Sequence, residues 1–435
     1  MAALVLLDGA RTRPQRRRGI SATSDSVEWM KDCTPLAEGR GDKTGTKRKT
    51  GTKRKRRVRV PELLEEIVIE ILVLLPVKDL LKSTAVCKAW RTIISDPAFI
   101  RAHLRYSASK WEQDPSFVIS PHTLNYFIDR ERIDIPSNFS NHIHFYQWKQ
   151  DTFLATFMHA KDFGEEFGRV RDFVCCDGLV LAPTDTRLYL FNPATRDSIT
   201  LPDSDRNNLQ QYGDFFEEIQ CGGSICYCAG LGLDPRTGKY KVVQAFYRSM
   251  DDRDTDTYHH MGMEVFTIDG DNNGSGAWRE IMDDPPYPAK RSQTSLSVKG
   301  FLFWHIDRAH SKQQAPWGLL RLSLADETFG VTGMPDQLDP SLAESLFLEV
   351  VREELCVTAR TNDISFTIWT LRIQDGGGQR QYWEQRFTVS VSDICHPLAF
   401  LPQGRIMLRN GHWLYSYELS SSKLILEGQM DDMRF

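Results

Sequence analysis

The sequence has no stretch of about 20 apolar residues, the length that a membrane-spanning helix requires. Its densest apolar run, at residues 67–75, is interrupted by Glu70 and stopped by Pro76. The opening "MAALVLLDGA" holds only a short apolar run with no basic region before it, so it is a poor signal peptide. The pattern predicts a soluble chain with no membrane partner.

The short motifs of common catalytic and metal sites are also absent. The sequence has no Gly-x-Ser-x-Gly, no Gly-rich phosphate loop and no Cys-x-x-Cys pair. Its nine cysteines are irregularly spaced, which favours a reducing compartment, and the group Cys221, Cys226 and Cys228 does not have the spacing of a zinc site. The acidic run 251–256 lacks the Gly and Glu of a calcium loop. We therefore expect no metal, no cofactor and no catalytic residue.

Negative charge is scarce at the amino end of the chain. Residues 1–59 hold 17 Lys and Arg against 6 Asp and Glu, whereas the whole chain has a net charge of −4. With few large apolar side chains, this segment is predicted to be a disordered basic tail. Its two basic clusters resemble a nuclear-import signal and indicate a protein of the nucleus, the cytoplasm or both. The candidate residues are Lys47, Arg48, Lys49, Lys53, Arg54, Lys55, Arg56 and Arg57. A solubilising charge run and a regulator that binds nucleic acid through the tail are the alternatives, the last of them less favoured.

Residues 60–105 show helical spacing. Pro61 suits the first turn of a helix, and apolar residues then recur three and four positions apart until Pro76. Asp79 is a plausible cap of a second helix, which either continues through Trp90 and Ile94 or gives way to another there. Asp96 and Pro97 predict the start of a further short helix, so the segment is interpreted as a three-helix module. Because so small a unit buries little by itself, part of its apolar surface is expected to face another domain or a partner.

The motifs of this module resemble those of an F-box. They are Val60-Pro61, Glu66-Ile67, Ile71-Leu72, Leu75-Pro76-Val77-Lys78, Leu80-Leu81, "VCKAWR" at 86–91, Ile94, and Asp96-Pro97 with Phe99. The resemblance implies that the helices insert into the Skp adaptor of a ubiquitin ligase and, through it, join a cullin. Val60 stands where the family usually has Leu, a reduction in volume that should weaken docking without abolishing it. The adaptor-binding residues so implied are Pro61, Leu63, Leu64, Ile67, Ile71, Leu72, Leu75, Pro76, Leu80, Leu81, Val86, Cys87 and Trp90, with internal packing the favoured alternative for Trp90 and Ile94.

Residues 106–435 change to short β-rich runs separated by Gly, Pro, Asn and Asp. Six segments predict a strand, a polar turn and a second strand: 188–202, 230–246, 264–281, 319–335, 366–389 and 414–428. Hairpins joined in series predict a large antiparallel all-β domain, propeller-like, with a β-sandwich as the alternative. No kelch or tryptophan-aspartate signature fixes the number of blades. The fold class is therefore α+β and multidomain, divided into 1–59, 60–105 and 106–435.

The same segments resemble the F-box-associated domain of plant F-box proteins. The matching residues are Cys176-Asp177-Gly178-Leu179-Val180, Phe191-Asn192-Pro193-Ala194-Thr195, Leu233-Asp234-Pro235, Tyr240-Lys241-Val242-Val243, Glu264-Val265-Phe266, Trp278-Arg279, the run 298–304, Asp326-Glu327 with Phe329, Ile368-Trp369 and Leu414-Tyr415-Ser416-Tyr417. The resemblance implies that this domain captures a target protein. Since binding residues concentrate on loops of rigid scaffolds, 203–220, 249–260 and 305–317 are the candidate recognition loops.

These observations favour a non-catalytic substrate receptor of a Skp, cullin and F-box ubiquitin ligase. Its target and the residues that bind it are unknown from sequence. The alternatives are a propeller that binds a ligand or sugar or acts as an enzyme, and the nucleic-acid regulator named above. Most of six tryptophans fall in strand-like runs, where aromatics usually fill cores, and any that is exposed on one rim is a candidate anchor for the target. They are Trp278, Trp304, Trp317, Trp369, Trp383 and Trp413.

Overall fold

A computed structural model describes residues 63–111, 116–119, 142–149, 156–162, 173–184, 187–206, 228–250, 259–268, 276–290, 293–309, 311, 314–341, 346–362, 364–373, 381–391, 395–410 and 413–429. These ranges hold four α-helices followed by 23 β-strands. None of the helices is long and apolar enough to cross a lipid bilayer.

The helical module consists of α1 (Glu65–Val73), α2 (Val77–Ser83), α3 (Lys88–Ser95) and α4 (Pro97–Trp111). α1 begins at Glu65, after an extended Leu64; the predicted helix start at Pro61 lies outside the described residues. Glu65 and Glu66 in its first turn place negative charge at the positive end of the helix dipole. The helical segment thus contains four helices where the sequence predicted three.

Two of the predicted helix starts can be compared with the structure. Asp79 does not cap α2, because the chain is already helical from Val77 and Pro76 occupies the N-cap position without a side-chain hydrogen bond. Asp79 lies in the first turn and pairs with Lys82 at 2.9 Å. The prediction at Asp96 is confirmed. Its Oδ1 accepts hydrogen bonds from the N–H groups of Ala98 at 2.6 Å and of residue 99 at 3.4 Å, which satisfies donors that the first turn of α4 leaves open.

Five antiparallel sheets of four strands follow, each with its strands in chain order. Blade 1 contains β4 (Val174–Cys176), β5 (Leu179–Pro183), β6 (Leu188–Phe191) and β7 (Ser198–Thr200). Blade 2 contains β8 (Ala229–Leu233), β9 (Tyr240–Met250), β10 (His259–Ile268) and β11 (Arg279–Glu280), and blade 3 contains β12 (Leu296–Val298), β13 (Phe301–His305), β14 (Gly318–Ser323) and β15 (Phe329–Gly333). Blade 4 contains β16 (Phe347–Val351), β17 (Glu354–Asn362), β18 (Ser365–Ile373) and β19 (Gln381–Val389), and blade 5 contains β20 (His396–Leu401), β21 (Arg405–Asn410), β22 (Trp413–Glu418) and β23 (Lys423–Gln429).

The sheets form a five-bladed antiparallel β-propeller. The first strand of each blade contacts the first strand of the next, so β4, β8, β12, β16 and β20 are the inner strands. Separate apolar clusters join blades 1 and 2, 2 and 3, 3 and 4, and 4 and 5. All six hairpins predicted from the sequence are present, and the β-sandwich alternative is wrong because every one of these clusters lies between consecutive sheets.

A three-stranded sheet precedes the blades. It contains β1 (Ser116–Ile119), β2 (His142–Lys149) and β3 (Thr156–Asp162). Phe145 and His159 of this sheet stack within an aromatic cluster that includes Phe191 of blade 1, with ring centroids of Phe145 and Phe191 4.8 Å apart. The sheet is therefore packed on the first blade, on the side away from blade 2.

Antiparallel order gives the propeller two different ends. At one end of the propeller the first strand of each blade connects to the second and the third to the fourth; we call this end the turn end. Several of its turns contain residues with positive φ, such as Asp177 (48°) and Gly178 (79°) after β4. Connections between second and third strands, and between blades, meet at the opposite loop end. A cavity of about 30 Å³ lined by α2–α4 side chains and by Thr195, in the β6–β7 turn, places the helical module beside the turn end of blade 1.

Candidate functional site

Large apolar side chains on one face of α1 and on the residues that flank it are left exposed by the described part of the chain. Leu63, Leu64, Ile67, Ile71 and Leu74 are 61, 66, 40, 46 and 52% exposed. Their spacing places them along one side of the helix and the residues that lead into it. We call this surface the α1 stripe. A contiguous apolar patch on a small domain typically marks a binding site.

The opposite face of α1 forms the core of the helical module. Val68 and Leu72 pack with Leu80, Ile93, Ile94 and Phe99, and Trp90 and Leu75 pack against this cluster from its edge. Leu72 and Leu80, which the sequence placed among the adaptor contacts, are 0 and 5% exposed. In this arrangement their side chains lie beneath the surface and hold the helices together. The predicted internal role of Ile94 agrees with its burial.

A second exposed group lies where α1 meets α2 and α2 meets α3. Pro76, Val86 and Cys87 are exposed, whereas Leu75, Leu81 and Trp90 are half-buried. Cys87 also caps α3, since its Sγ accepts a hydrogen bond from the N–H of Trp90 at 3.4 Å. Pro61 and the import candidates, residues 47–49 and 53–57, lie outside the described residues.

His103 is a residue that sequence reasoning missed. It is buried on α4, and its Nε2 lies 2.8 Å from the carbonyl oxygen of Leu75. That carbonyl follows the last turn of α1, where helical partners run out. The contact fixes the end of α1 against α4, and with it the direction in which the α1 stripe faces.

Blades 2 and 3 are joined at the turn end by an ion cluster whose central lysine and one carboxylate are buried. Lys241 Nζ lies 3.0 Å from Asp234 Oδ2 and 2.9 Å from Glu327 Oε1, and it donates to the carbonyl oxygen of Leu324 at 2.7 Å. Arg279 donates to both carboxylate oxygens of Glu327 at 2.7 Å. We call Asp234, Lys241, Arg279 and Glu327 the blade clasp. These hydrogen bonds hold the pKa of Asp234 and of Glu327 below their usual values although burial acts in the opposite direction.

The three predicted recognition loops share one end of the propeller. Residues 203–220, 249–260 and 305–317 fall at the connections β7–β8, β9–β10 and β13–β14 and the strand ends beside them, and antiparallel order puts all three at the loop end. Only parts of them are described: 203–206, 249–250, 259–260, 305–309, 311 and 314–317. They are thus remote, by topology, from the turn end that lies beside the helical module.

The tryptophans divide into core and rim residues. Trp304 and Trp369 are buried, as predicted, at 1 and 5% exposure. Trp278, Trp317 and Trp383 are half-buried, and Trp413 at the loop end of β22 is exposed. The sequence could not separate the core from the rim tryptophans because most of them occur in similar strand-like runs.

The cysteine group does not come together as a site in the described part of the chain. Cys228 is fully buried, and its Sγ donates to the carbonyl oxygen of Lys290 at 3.2 Å. Cys221 and Cys226 lie outside the described residues. Among the residues that are described, no group of three or more His, Cys, Asp or Glu side chains is placed to hold a metal ion.

A cleft opens on the outer side of the propeller between blades 1 and 2. It has a volume of about 430 Å³ and is lined by 202–206, which follow β7, by Glu264 of β10, and by 276–278 and Glu280 at β11. Trp278 Nε1 donates to the carbonyl oxygen of Pro202 at 2.7 Å and so ties the two blades together at the cleft. We call this the Trp278 cleft. It contains the described part of one predicted recognition loop.

A small helical module with an uncovered apolar stripe, followed by a β-propeller, defines the class of protein to which this chain belongs. The family described as "F-box associated beta propeller domain" matches residues 156–408, and the family described as "F-box-like" matches residues 65–105. The chain is a member of the F-box proteins with an F-box-associated β-propeller, as its sequence motifs predicted.

Similar proteins occur in Arabidopsis thaliana. F-box protein At5g10340 is 26% identical over 341 residues, which cover 76% of this chain and 70% of that protein. F-box/LRR-repeat protein At2g43260 is 22% identical over 336 residues, which cover 76% of this chain and 67% of that protein. Among solved structures, the β-propeller domain of Cps50 (Swd1) from Myceliophteria thermophila aligns with a TM-score of 0.35 at 8% identity, over 66% of this chain and 82% of that one.

Proposed function

We propose that this chain is the substrate-recognition subunit of a Skp, cullin and F-box ubiquitin ligase. The helical module, residues 60–105, binds the Skp adaptor and through it the cullin, and the β-domain, residues 106–435, binds a target protein. The chain itself is not an enzyme. Its contribution to catalysis is proximity, because holding the target near a ubiquitin-loaded enzyme replaces a bimolecular encounter with a local one.

The observation that carries this proposal is the α1 stripe. Five large apolar side chains on α1 and the residues that flank it are 40–66% exposed, whereas Val68 and Leu72 on the opposite face of the helix are buried. Burying each of them in a partner would contribute roughly 1–2 kcal/mol, since a fully buried Leu or Ile is worth ~1.5–3 kcal/mol. This is the arrangement of helix-in-groove recognition, in which apolar anchors supply affinity.

The proposed adaptor contacts combine the stripe with the corner between the helices. They are Pro61, Leu63, Leu64, Ile67, Ile71, Leu75, Pro76, Leu81, Val86, Cys87 and Trp90, with Leu72 and Leu80 packed beneath them.

The two ends of the propeller support separate sites for the adaptor and for the target. The helical module lies beside the turn end, so a target held at the loop end leaves the stripe uncovered.

Co-expression with a Skp adaptor tests the proposal. Full-length protein should elute with the adaptor as one species in size-exclusion chromatography. The variant Leu64→Asp with Pro76→Ala should elute alone with an unchanged melting temperature, because both residues are exposed. Leu426→Asp is the matched control, since Leu426 is 43% exposed on β23 and lies far along the chain from the stripe. Adaptor binding that survives the first variant, or that is lost equally in the control, refutes the assignment.

The basic tail is proposed to direct nuclear import. Its two clusters at 47–49 and 53–57 carry eight positive charges within eleven residues. Deleting 43–59 from a fluorescent fusion should shift its distribution from the nucleus to the cytoplasm. An unchanged distribution would remove the import role and leave the ligase proposal untouched.

A further inference from the structure

The lining of the Trp278 cleft is strongly acidic. Asp203, Asp205, Glu264 and Glu280 contribute four carboxyl groups, whereas Arg206 is the one cation among the lining residues. Its volume of about 430 Å³ falls in the range of ~300–1,000 Å³ that ligand sites usually have. A cleft of this size and charge selects for a cationic group.

The cleft already holds one guanidinium, which belongs to the chain itself. Arg206 Nη2 lies 3.2 Å from Glu280 Oε2, and its Cζ lies 5.9 Å from the centroid of the Phe246 ring. A carboxylate on one side and an aromatic face on the other are the two partners that guanidinium groups prefer in proteins. Arg206 is 59% exposed in its side chain, so it occupies only part of the opening.

Glu264 gives the cleft a carboxyl group that has little access to solvent. The residue is 2% exposed, and its Oε1 accepts a hydrogen bond from Gln244 Nε2 at 2.7 Å. Burial raises the pKa of Glu264, while hydrogen bonds from Ser204 and Gln244 and the nearby charge of Arg206 act in the opposite direction. A cation that enters the cleft would add a charged partner to the two polar ones that this buried carboxyl group already has.

The rim of the cleft suits a side chain that arrives on another polypeptide. Gly276 and Ala277 precede Trp278 and present almost no side chain at the opening. The indole of Trp278 is half-buried and is fixed by its hydrogen bond to Pro202. A planar cation can lie against such a ring, and tryptophan and arginine are the residues most enriched at the centres of protein interfaces.

We propose that the Trp278 cleft receives an arginine side chain of the captured protein, held by Glu280 and Glu264 against the aromatic wall. This inference rests on the proposed function, because it identifies a contact through which the propeller recognises its target. Arg206 is then an internal competitor that occupies the Glu280 carboxylate when no target is bound.

Binding can be measured on the full-length chain labelled with 5-fluorotryptophan, in which Trp278→Phe assigns the fluorine resonance of Trp278. The probe is a nine-residue Gly/Ser peptide with one central arginine, and its matched control carries citrulline, which keeps the shape and loses the charge. The arginine peptide should shift the Trp278 resonance saturably, with an affinity at least about tenfold above that of the citrulline peptide. Equal responses to the two peptides would overturn the proposal.

Three variants separate the roles of the lining residues. Glu280→Gln should weaken arginine binding about fivefold, because it removes one charge and keeps the volume. Arg206→Ala should strengthen it about threefold by removing the competitor. Asp336→Asn, an exposed acid on the β15–β16 connection outside the cleft, should leave it unchanged. Weaker binding to Arg206→Ala, or a loss in Asp336→Asn equal to that in Glu280→Gln, would refute the proposed arrangement.

The source of the cation and the ligase role are tested separately. Free L-arginine should bind no more tightly than the peptide, and a preference of tenfold or more for the free amino acid would refute the assignment to a protein target. Adaptor co-elution is measured on the same preparation. Adaptor binding without a response to the arginine peptide refutes this inference alone, whereas an arginine response without adaptor binding refutes the ligase proposal and leaves the cleft as an arginine site.

Discussion

Replacing the lysine of the blade clasp tests whether ion pairs hold neighbouring blades in register. Lys241→Met keeps the length of the side chain and removes its charge and its three hydrogen bonds. The lysine side chain is 9% exposed and the Asp234 carboxyl is 2% exposed, so neither group is well solvated in the folded state. Methionine cannot donate a hydrogen bond to the carbonyl oxygen of Leu324, so that oxygen would lose the donor that Lys241 now supplies.

The magnitude follows from what remains when the lysine is gone. Removing one partner of a buried ion pair typically costs ~3–5 kcal/mol, because the other charge stays buried and unpaired. Here both carboxylates keep other donors. Asp234 Oδ1 accepts from the N–H of Arg236 at 2.8 Å, and Glu327 keeps both bonds from Arg279. We therefore expect a loss of about 3 kcal/mol in the free energy of unfolding, at the lower end of that range.

Urea unfolding followed by tryptophan fluorescence and by circular dichroism measures this loss. Lys423→Met is the control, since Lys423 is exposed at the start of β23, and it should change stability by less than about 0.5 kcal/mol. The stabilisation in the wild type should fall as the pH drops through the lowered pKa values of Asp234 and Glu327, because carboxyls whose pKa is depressed on folding stabilise only while ionised. A cost below about 1 kcal/mol for Lys241→Met would show that the clasp pairs are worth no more than surface ion pairs.

Three further predictions concern single positions. Gly300→Ala should lower the free energy of unfolding by about 3 kcal/mol, because φ at this position is +79° and the new Cβ would lie 2.7 Å from Pro235 Cδ. Gly404→Ala should cost only about 1 kcal/mol, because its φ of +71° is similar but its new Cβ would have no contact closer than 3.9 Å. Equal melting temperatures of the two variants would contradict this reasoning. Burial lowers the pKa of His159 to about 4, so on acidification the unfolded chain binds a proton at this residue before the folded chain does. The free energy of unfolding should therefore fall by roughly 2–3 kcal/mol between pH 6.5 and pH 4. His159→Gln should remove that part of the pH dependence measured in urea titrations, and an unchanged pH dependence would show that the ring is solvated. Asp96→Ala should cost about 1 kcal/mol in a thermal melt by removing the cap of α4, and a variant as stable as the wild type would show that the cap is dispensable.

The hairpins were readable from the sequence because their turns are made by local chemistry. In the turn after β6, Asn192 Oδ1 accepts from the N–H groups of Ala194 at 3.0 Å and of Thr195 at 3.3 Å. The turn after β8 repeats this with Asp234. Such bonds depend only on residues two and three positions apart, so the letters "NPAT" and "DPRT" are enough to predict a reversal.

The number of blades needed information that no turn contains. Inner strands such as β4 and β12 have three residues each, too short to show a period of two. What identifies them is contact with other blades. β4 contacts β8, and Asp177 Oδ2 in the turn after β4 accepts a hydrogen bond from the hydroxyl group of Tyr240 at 3.1 Å across 63 residues of sequence. Contacts at that separation are invisible to any local pattern.

The same limit explains which functional residues were found. The α1 stripe belongs to one helix and its flanking residues, so the spacing of apolar residues in the sequence was enough to predict it. The spacing could not distinguish the buried Leu72 from the exposed Ile71, because apolar residues run nearly all round the helix. The Trp278 cleft combines residues 202–206 with Glu264 and Glu280 from the next blade. In the sequence, residues 202–206 look like a turn, and Glu264 and Glu280 look like ordinary strand residues. The hydrogen bond from Gln244 to Glu264 forms only because β9 and β10 pair in register. A site built across blades in this way can change its recognition by substitution at one strand edge while the helical module and its stripe stay as they are.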